Sequence, residues 1–362
     1  MNSLPPPYLV VSANHDYRSK KRANIHFITD ELARRGPTTF LSTHSSLFSA
    51  RLKRDRRYDS FPEESLTANG VVCRLWKSPI HPVNVRSRIG FAWNLPATTL
   101  YSLFLPSDIK RKIEAARTVV IESGSAVSLI GRIRSINPEC TILYNASDTL
   151  DTIGLAPFYS EQLARFSPEI SHSRLPSSLM GKYHPMFREN RIIPHALDES
   201  FFRDDYINPY GSRVAAVSVG SMLFDARFFA IAADAFPEVD FHIIGSGQRG
   251  IERDNVFWID EMAFQDTIRY VKFANIGIAP YNSALASDYL IDTSMKLLQF
   301  DAAGIPAVCP HFVHGGRENR FGYEVGHRDS IIEAMRGALA FKRGRPKQPR
   351  TWKLVTDEFL AC

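Results

Sequence analysis

Two short stretches of the chain hold residue types that could do chemistry. The first is Tyr144-Asn145-Ala146-Ser147-Asp148, which closes the strand-like run CTILY. A carboxylate just past the carboxyl end of a parallel strand faces the crevice in which α/β sheets bind ligands, so Asp148 is a candidate general base. The position suits a helix N-cap equally well, a role open to both Ser147 and Asp148. Asn14, His15 and Asp16, which follow YLVVSA, and Glu122, which ends TVVIE, share that placement. The second stretch is residues 292–309, DTSMKLLQFDAAGIPAVC. Asp292, Thr293 and Ser294 are capping types. Met295, Leu298 and Ala302 repeat on one helical face, with Lys296 and Gln299 beside it, and Gly304 followed by Pro306 stops the helix. The N-terminus of such a helix attracts anions. Lys296 in the first turn opposes the helix dipole, and a bound phosphate would resolve the conflict. The other reading of Lys296 is a solvated surface lysine.

The elements around these stretches set where they lie. Tyr8–Ala13, the amphipathic run Ala23–Arg35 ended by Gly36, and Thr38–Ser42 form a βαβ unit, the start of a parallel Rossmann-like layer. That first turn has no G-x-G-x-x-G, which argues against a dinucleotide. A second α/β series begins at Ala215–Val219 and continues through Asp240–Ile244, Asp254–Ile259 and Ile276–Pro280. Gly245 to Gly250 matches G-x-G-x-x-G in form, but a strand follows where the fingerprint needs a helix. The loop still lets backbone approach a phosphate. In this second series Met222, Gly245, Glu261, Tyr281 and Ser294–Lys296 all fall at strand ends. An aromatic for a base, a carboxylate for ribose hydroxyls and a helix N-terminus for a diphosphate make a nucleotide site.

The expected architecture is therefore α/β, with two Rossmann-like domains and a cleft between them. The boundaries read as a first domain over 1–200, a Pro/Gly/Asp-rich linker over 201–212, a second domain over 213–340, and a tail over 341–362 with room to cross back to the first domain.

Composition narrows the function. The 362 residues are 44% hydrophobic and 23% charged, as in folded soluble proteins. Cys73, Cys140, Cys309 and Cys362 are scattered, with no C-x-x-C, so neither a zinc site nor a disulfide framework is expected. The opening MNSLPPPYLVV lacks a signal peptide's basic segment, and no apolar run is long enough to cross a bilayer. The net charge of +6 is uneven. Residues 1–150 carry 21 Lys and Arg against 12 Asp and Glu, and the remainder is slightly acidic. The basic residues Lys20, Lys21, Arg22, Arg51–Arg57, Arg86 and Arg88 share this half with an uncharged segment, Ile89–Ser107. That segment holds Phe91, Trp93, Leu95, Tyr101, Leu103 and Phe104. Basic residues beside exposed aromatics fit an anionic membrane surface; the same aromatics could instead be ordinary core. No helix-turn-helix, RNA-recognition or zinc signature points to nucleic acid.

The segments HDYRSKKRANIHFITDELARRG, NGVVCRLWKSPIHPVN, VVIESGSAV, YNASDTL, VAAVSVGSMLFD, FHIIGSG, IGIAPY, DTSMKLLQFDAAGIPAVCP and FGYEVG are spread from the first strand to about Gly326. In them the chain resembles the GumK-like inverting glucuronosyltransferases of xanthan- and acetan-type exopolysaccharide assembly (glycosyltransferase family 70). The resemblance implies a GT-B fold and transfer of glucuronate from UDP-glucuronate to the mannose of a polyprenyl-diphosphate-linked oligosaccharide. It implies a peripheral place on the cytoplasmic face of the bacterial inner membrane, with no transmembrane helix. The family's Y-x-A-S-D motif falls on Tyr144 to Asp148, which implies Asp148 as the base. Matching UDP-binding positions are Met222, Glu261, Met262, Tyr281, Met295, Lys296 and Gln299, with Lys296 neutralising the leaving diphosphate beside the helix end at Ser294. No metal or other cofactor is expected, in keeping with the lack of any D-x-D. Lys296 and Arg320 are candidates to read the glucuronate carboxylate. The chain departs from the family motif at Asn145, where the family has arginine. Two other functions compete: a GT-B transferase using another UDP-sugar, and a non-catalytic nucleotide- or polyanion-binding protein of the same fold.

Overall fold

The computed structural model describes residues 7–46, 61–80, 82–87, 90–282, 287–344 and 350–361. The Arg51–Arg57 run, Arg88, Cys362 and the Phe91 side chain lie outside the described residues. The chain divides into two compact units. One comprises Met1–Pro194 with Trp352–Cys362, the other His195–Thr351.

The first unit is built on β1 (Tyr8–Ser12), β2 (Thr38–Ser46), β3 (Glu64–Leu66), β4 (Val71–Ser78), β5 (Thr118–Glu122), β6 (Thr141–Asn145), β7 (His172–Leu175) and β8 (Asn190–Ile192). They form one sheet in the order β3-β4-β2-β1-β5-β6-β7-β8. Every pair is parallel except β3 with β4. Strands covered on both faces read as continuous apolar runs, which is why YLVVS and TVVIE are strands. Leu9, Val10, Val11, Val119, Val120 and Ile121 are all buried. The helices are α1 (Asn24–Ala33), α2 (Gly90–Leu103), α3 (Ser107–Ala115), α4 (Ile130–Ile136) and α5 (Pro157–Phe166).

The second unit is a six-stranded sheet of β9 (Val214–Val219), β10 (Val239–Ile244), β11 (Val256–Ile259), β12 (Ile276–Ile278), β13 (Ala307–Pro310) and β14 (Arg320–Tyr323). The order is β11-β10-β9-β12-β13-β14, parallel throughout. Its helices are α6 (Arg227–Ala235), α7 (Phe264–Phe273), α8 (Leu290–Thr293), α9 (Met295–Ala303) and α10 (Arg328–Ala340); α11 (Trp352–Leu360) belongs to the first unit. Successive residues of β9 face opposite cores: Ala216 packs with Phe228, Phe241 and Met335, and Val217 with Leu297, Phe300 and Val271. The Gly245–Gly250 loop leads into β11, where a dinucleotide fingerprint needs a helix.

Several local expectations need correction. Residues 201–212 do not hang free. Phe201 is buried in the second unit's core, Tyr206 and Tyr210 pack against it, and the unit begins ahead of them at His195. Apolar side chains in a Pro/Gly-rich stretch were enough to dock it. Asp292 and Thr293 do not cap the long helix but sit in their own short helix, α8, and Ser294 alone is the cap. The aromatic segment 91–104 splits. Tyr101 is core, stacked on Trp76 with ring centroids 4.5 Å apart, whereas Trp93, Leu103 and Phe104 are exposed. The three described cysteines are buried and free.

Candidate active site

The first group of candidate residues gathers at the carboxyl edge of the first sheet, where β1, β5 and β6 lie side by side. Asp148 follows β6 by three residues, and its N–H donates to the Ser123 hydroxyl at 3.2 Å. No helix starts there, since α5 begins only at Pro157, so neither Ser147 nor Asp148 is an N-cap. Asp148 is half-buried.

The turn that carries it is fixed by a buried polar network. Asn145 donates to Asn24 Oδ1 at 2.7 Å and to the Ser147 hydroxyl at 3.1 Å. Asn24 Nδ2 reaches the same hydroxyl at 3.0 Å, and that hydroxyl donates to Glu122 Oε1 at 3.1 Å. Arg174, fully buried on β7, donates to Asn145 Oδ1 at 2.9 Å and lies 5.8 Å over the Trp352 ring. A guanidinium from a neighbouring strand thus bonds to Asn145. Such a network fixes one geometry because every missing partner would strand a polar atom away from water.

The second group lies at the carboxyl edge of the second sheet. Helix α9 starts at Ser294, whose hydroxyl accepts from Leu297 N at 3.1 Å. It ends at Gly304, left-handed at φ 69°, whose N–H returns to the carbonyls of Phe300 and Asp301. Gly277 on β12 lets the helix come close, because a Cβ there would stand 2.4 Å from the Phe300 ring. With Ser294 occupied by Leu297, the first N–H groups of the helix remain for an external anion.

Lys296 is not a surface lysine. It is 9% exposed, with its ammonium 5.3 Å from the centre of the Tyr281 ring and 3.4 Å from Ser218 Oγ. Among the described residues no carboxylate pairs with it. Desolvation pulls its pKa down from the ordinary 10.5 to about 7. Tyr281 itself is buried, and its hydroxyl shares a hydrogen bond with Ser294 Oγ. It braces the helix cap and underlies the lysine.

The other positions are arranged around these strand ends. Gln299 is buried one helical turn beyond Lys296, and Met295 and Met262 pack against the cluster that contains Tyr281 and Leu297. Met222 is exposed on the loop after β9. The next residue, Leu223, has φ 49°, an uncommon conformation for a branched side chain that often marks a functional loop. The loop is held by the Leu223 carbonyl, which accepts from Asn282 N at 2.6 Å, and by a bridge between Phe224 and Tyr281. Glu261 is exposed after β11 and lines a cavity of about 310 Å³ together with Gly245–Arg249, Trp258, Ile259 and Asp260.

Arg320 is committed elsewhere. It pairs with Asp301 at 2.9 Å and donates to the carbonyls of Ile291 and Val313 at 3.0 and 3.1 Å. It fastens α9 to β14. Sequence reading missed Ser218, Asn24 and Arg174. Nothing local in the sequence marks them, because their partners are distant in the chain.

Residues 10–176 match the family model for the N-terminal domain of glucuronosyltransferase GumK. The chain is 41% identical to UDP-glucuronate:glycolipid 2-beta-glucuronosyltransferase of Xanthomonas campestris pv. campestris, over 98% of this chain and 89% of that protein. The fold is similar to that of sucrose-phosphate synthase from Thermosynechococcus elongatus, with TM-score 0.64 at 12% identity over 98% of this chain and 94% of the other. It is also similar to an α,α-trehalose-phosphate synthase (UDP-forming) from Burkholderia xenovorans, with TM-score 0.62 at 9% identity over 98% and 99%. At such identities these likenesses bear on fold alone, and the fold is GT-B: two Rossmann-like domains.

Proposed function

The chain belongs to the GumK glucuronosyltransferase family, and on that premise we propose that it moves glucuronate from UDP-glucuronate to a lipid-linked acceptor, with Asp148 as general base. The acceptor we assign is the mannose of a polyprenyl-diphosphate-linked oligosaccharide at the cytoplasmic face of the inner membrane. The observation that carries the donor side is Lys296, a buried lysine with no carboxylate partner among the described residues, in the first turn of a helix whose free N–H groups suit an anion. An uncompensated buried cation is costly, and a diphosphate would compensate it.

In the reaction the acceptor oxygen attacks the anomeric carbon and inverts it. The bond from that carbon to the diphosphate oxygen breaks, and the electron pair leaves with UDP. The hydroxyl proton passes to the Asp148 carboxylate. Lys296 and the helix N-terminus stabilise the charge that grows on the diphosphate. With that charge met by a lysine and a helix end, the transfer needs no metal. Met222, Glu261, Met262, Met295 and Gln299 complete the UDP site, with the base and ribose reaching the cavity that Glu261 lines.

Helix α2 supports membrane docking. It is amphipathic in the reverse sense: Asn94, Thr98 and Tyr101 are buried, while Trp93, Leu100 and Leu103, and Phe104 just past its end, are exposed. Trp93 is 63% exposed and Phe104 52%. Among the described residues no helix is long and apolar enough to cross a membrane. An apolar face of this kind fits the boundary between head groups and acyl chains.

The test is transfer of labelled sugar into lipid-extractable material, with UDP-glucuronate and UDP-glucose compared on membranes bearing a lipid-linked oligosaccharide ending in mannose. Label from UDP-glucuronate alone, undiminished by a metal chelator, is expected. Label from UDP-glucose alone would overturn the donor assignment.

A further inference from the structure

One ionisable pair at the edge that carries Asp148 has no part in the reaction above. Glu122 ends β5 and is fully buried. Its Oε2 accepts from the Ser12 hydroxyl, and its Oε1 accepts from the Ser147 hydroxyl at 3.1 Å. The same Oε1 lies 3.6 Å from Nε2 of His15, whose side chain is 31% exposed. Among the described residues no lysine or arginine pairs with Glu122. His15, Glu122 and Asp148 thus stand at the ends of three adjacent strands. The hydroxyl that shares Oε1 with His15 belongs to Ser147, the residue before Asp148.

The ring of His15 is held in place. Its backbone N–H donates to Ser12 Oγ at 3.0 Å, and His26 packs edge-on behind it with centroids 5.3 Å apart. His26 is itself tied, accepting from Ala23 N at 2.9 Å through Nδ1 and lying 3.0 Å from the Asp16 carbonyl through Nε2. Burial pulls the pKa of His26 down to about 3, so it adds no competing charge. A carboxylate against Nε2 favours the ring proton on that nitrogen, which leaves Nδ1 as an acceptor. Among the described residues Nδ1 has no hydrogen-bond partner. The ligand that complements a fixed, partly exposed acceptor nitrogen is an O–H donor, and a sugar offers one at most of its carbons.

We propose that His15, oriented by Glu122, accepts a hydrogen bond from a hydroxyl of the acceptor sugar other than the one that attacks, and so sets the register of that sugar beside Asp148. The inference rests on Asp148 as the base. His15 takes no proton in the reaction; its role is to position the sugar and to select it. A site built to bond a particular hydroxyl discriminates strongly against an analogue lacking it, because its own polar atom is then left unpaired.

The test pairs a variant series with an acceptor series. Wild type, His15→Ala and His15→Asn are assayed on the lipid-linked acceptor and on analogues each lacking one non-attacking hydroxyl of the terminal sugar, with UDP affinity measured for every variant. The wild type should lose about 100-fold or more in kcat/KM on one analogue. His15→Ala should lose a similar factor on the parent acceptor, nothing further on that analogue, and no UDP affinity. His15→Asn, which keeps an oxygen near the Nδ1 position, should recover part of the loss. A His15→Ala enzyme within threefold of wild type on the parent acceptor overturns the proposal, as do losses that multiply on every analogue. Asp148→Asn run alongside separates the two claims. Full turnover in that variant removes the base while leaving the His15 series readable, and an inactive Asp148→Asn with multiplying His15 losses removes only the acceptor contact.

Discussion

Lys296 and Tyr281 form one unit: the lysine ammonium stands 5.3 Å over the tyrosine ring, and the tyrosine hydroxyl bonds the serine that caps the lysine's own helix. The ring face offers a weak counterpart to the charge. The cap fixes the helix end toward which an anion would be drawn. Tyr281 therefore supports the site from beneath.

Removing the lysine should separate binding from stability. Lys296→Met is expected to lose UDP affinity by tenfold or more, measured by calorimetry, and to raise the melting temperature of the ligand-free protein. Between pH 7 and 10.5 the unfolded chain binds a proton at this lysine that the folded chain does not, so this term makes stability rise with pH across that window. Below pH 7 its cost is paid in full. The variant should lack this pH dependence, and an unchanged stability profile would contradict the depressed lysine.

UDP binding should take up a proton above neutrality. The ligand-free lysine is neutral once the pH exceeds about 7, and a bound diphosphate restores its charge. Affinity is expected to fall as pH rises from 7 to 9, by at most tenfold per pH unit, with net proton uptake seen by calorimetry in buffers of different ionisation enthalpy. Affinity that is flat or rises over this range would remove Lys296 from the diphosphate.

The cap should matter in proportion to its two bonds. Ser294→Ala removes both the bond from Leu297 N and the Tyr281 contact. A lost N-cap costs about 1 kcal/mol, so a melting temperature lower by a few degrees is expected, together with weaker UDP binding. Tyr281→Phe keeps the ring under Lys296 and should show the milder form of the same change.

Membrane docking and catalysis should be separable by substitutions on the exposed face of α2 and at Asn84. Asn94 on α2 holds both backbone groups of Val85, at 3.0 Å each. Asn84 clamps the turn beyond Asp148, donating to the Gly154 carbonyl at 2.9 Å and accepting from Ala156 N at 2.6 Å. Trp93→Ser with Phe104→Ser should reduce co-sedimentation with anionic vesicles and leave UDP affinity intact. Asn84→Ala should lower kcat several-fold while vesicle and UDP binding stay as in wild type. Vesicle binding that survives the double substitution would take α2 away from the membrane.

Much of this was legible in the chain and some was not, for physical reasons. The βαβ runs, helix α9 with its glycine stop, and the strand-end placing of Asp148 and Lys296 are local patterns, and each appears where the residues indicated. The burial of Lys296 was not readable, because it depends on Tyr281 and Ser218 arriving from other strands. The polar frame around Asp148 joins Asn24, Asn145 and Arg174 from three separate elements, and residue spacing does not encode that. Helix α2 hides its character in composition, since its buried face is the polar one.

The most direct test of Asp148 as the base is single-turnover transfer from UDP-glucuronate to the lipid-linked acceptor by wild type and Asp148→Asn, with UDP affinity measured on both. The rate is expected to be at least 100-fold lower in Asp148→Asn at unchanged UDP affinity, with a β-linked product from the wild type. A variant that turns over at the wild-type rate would contradict it.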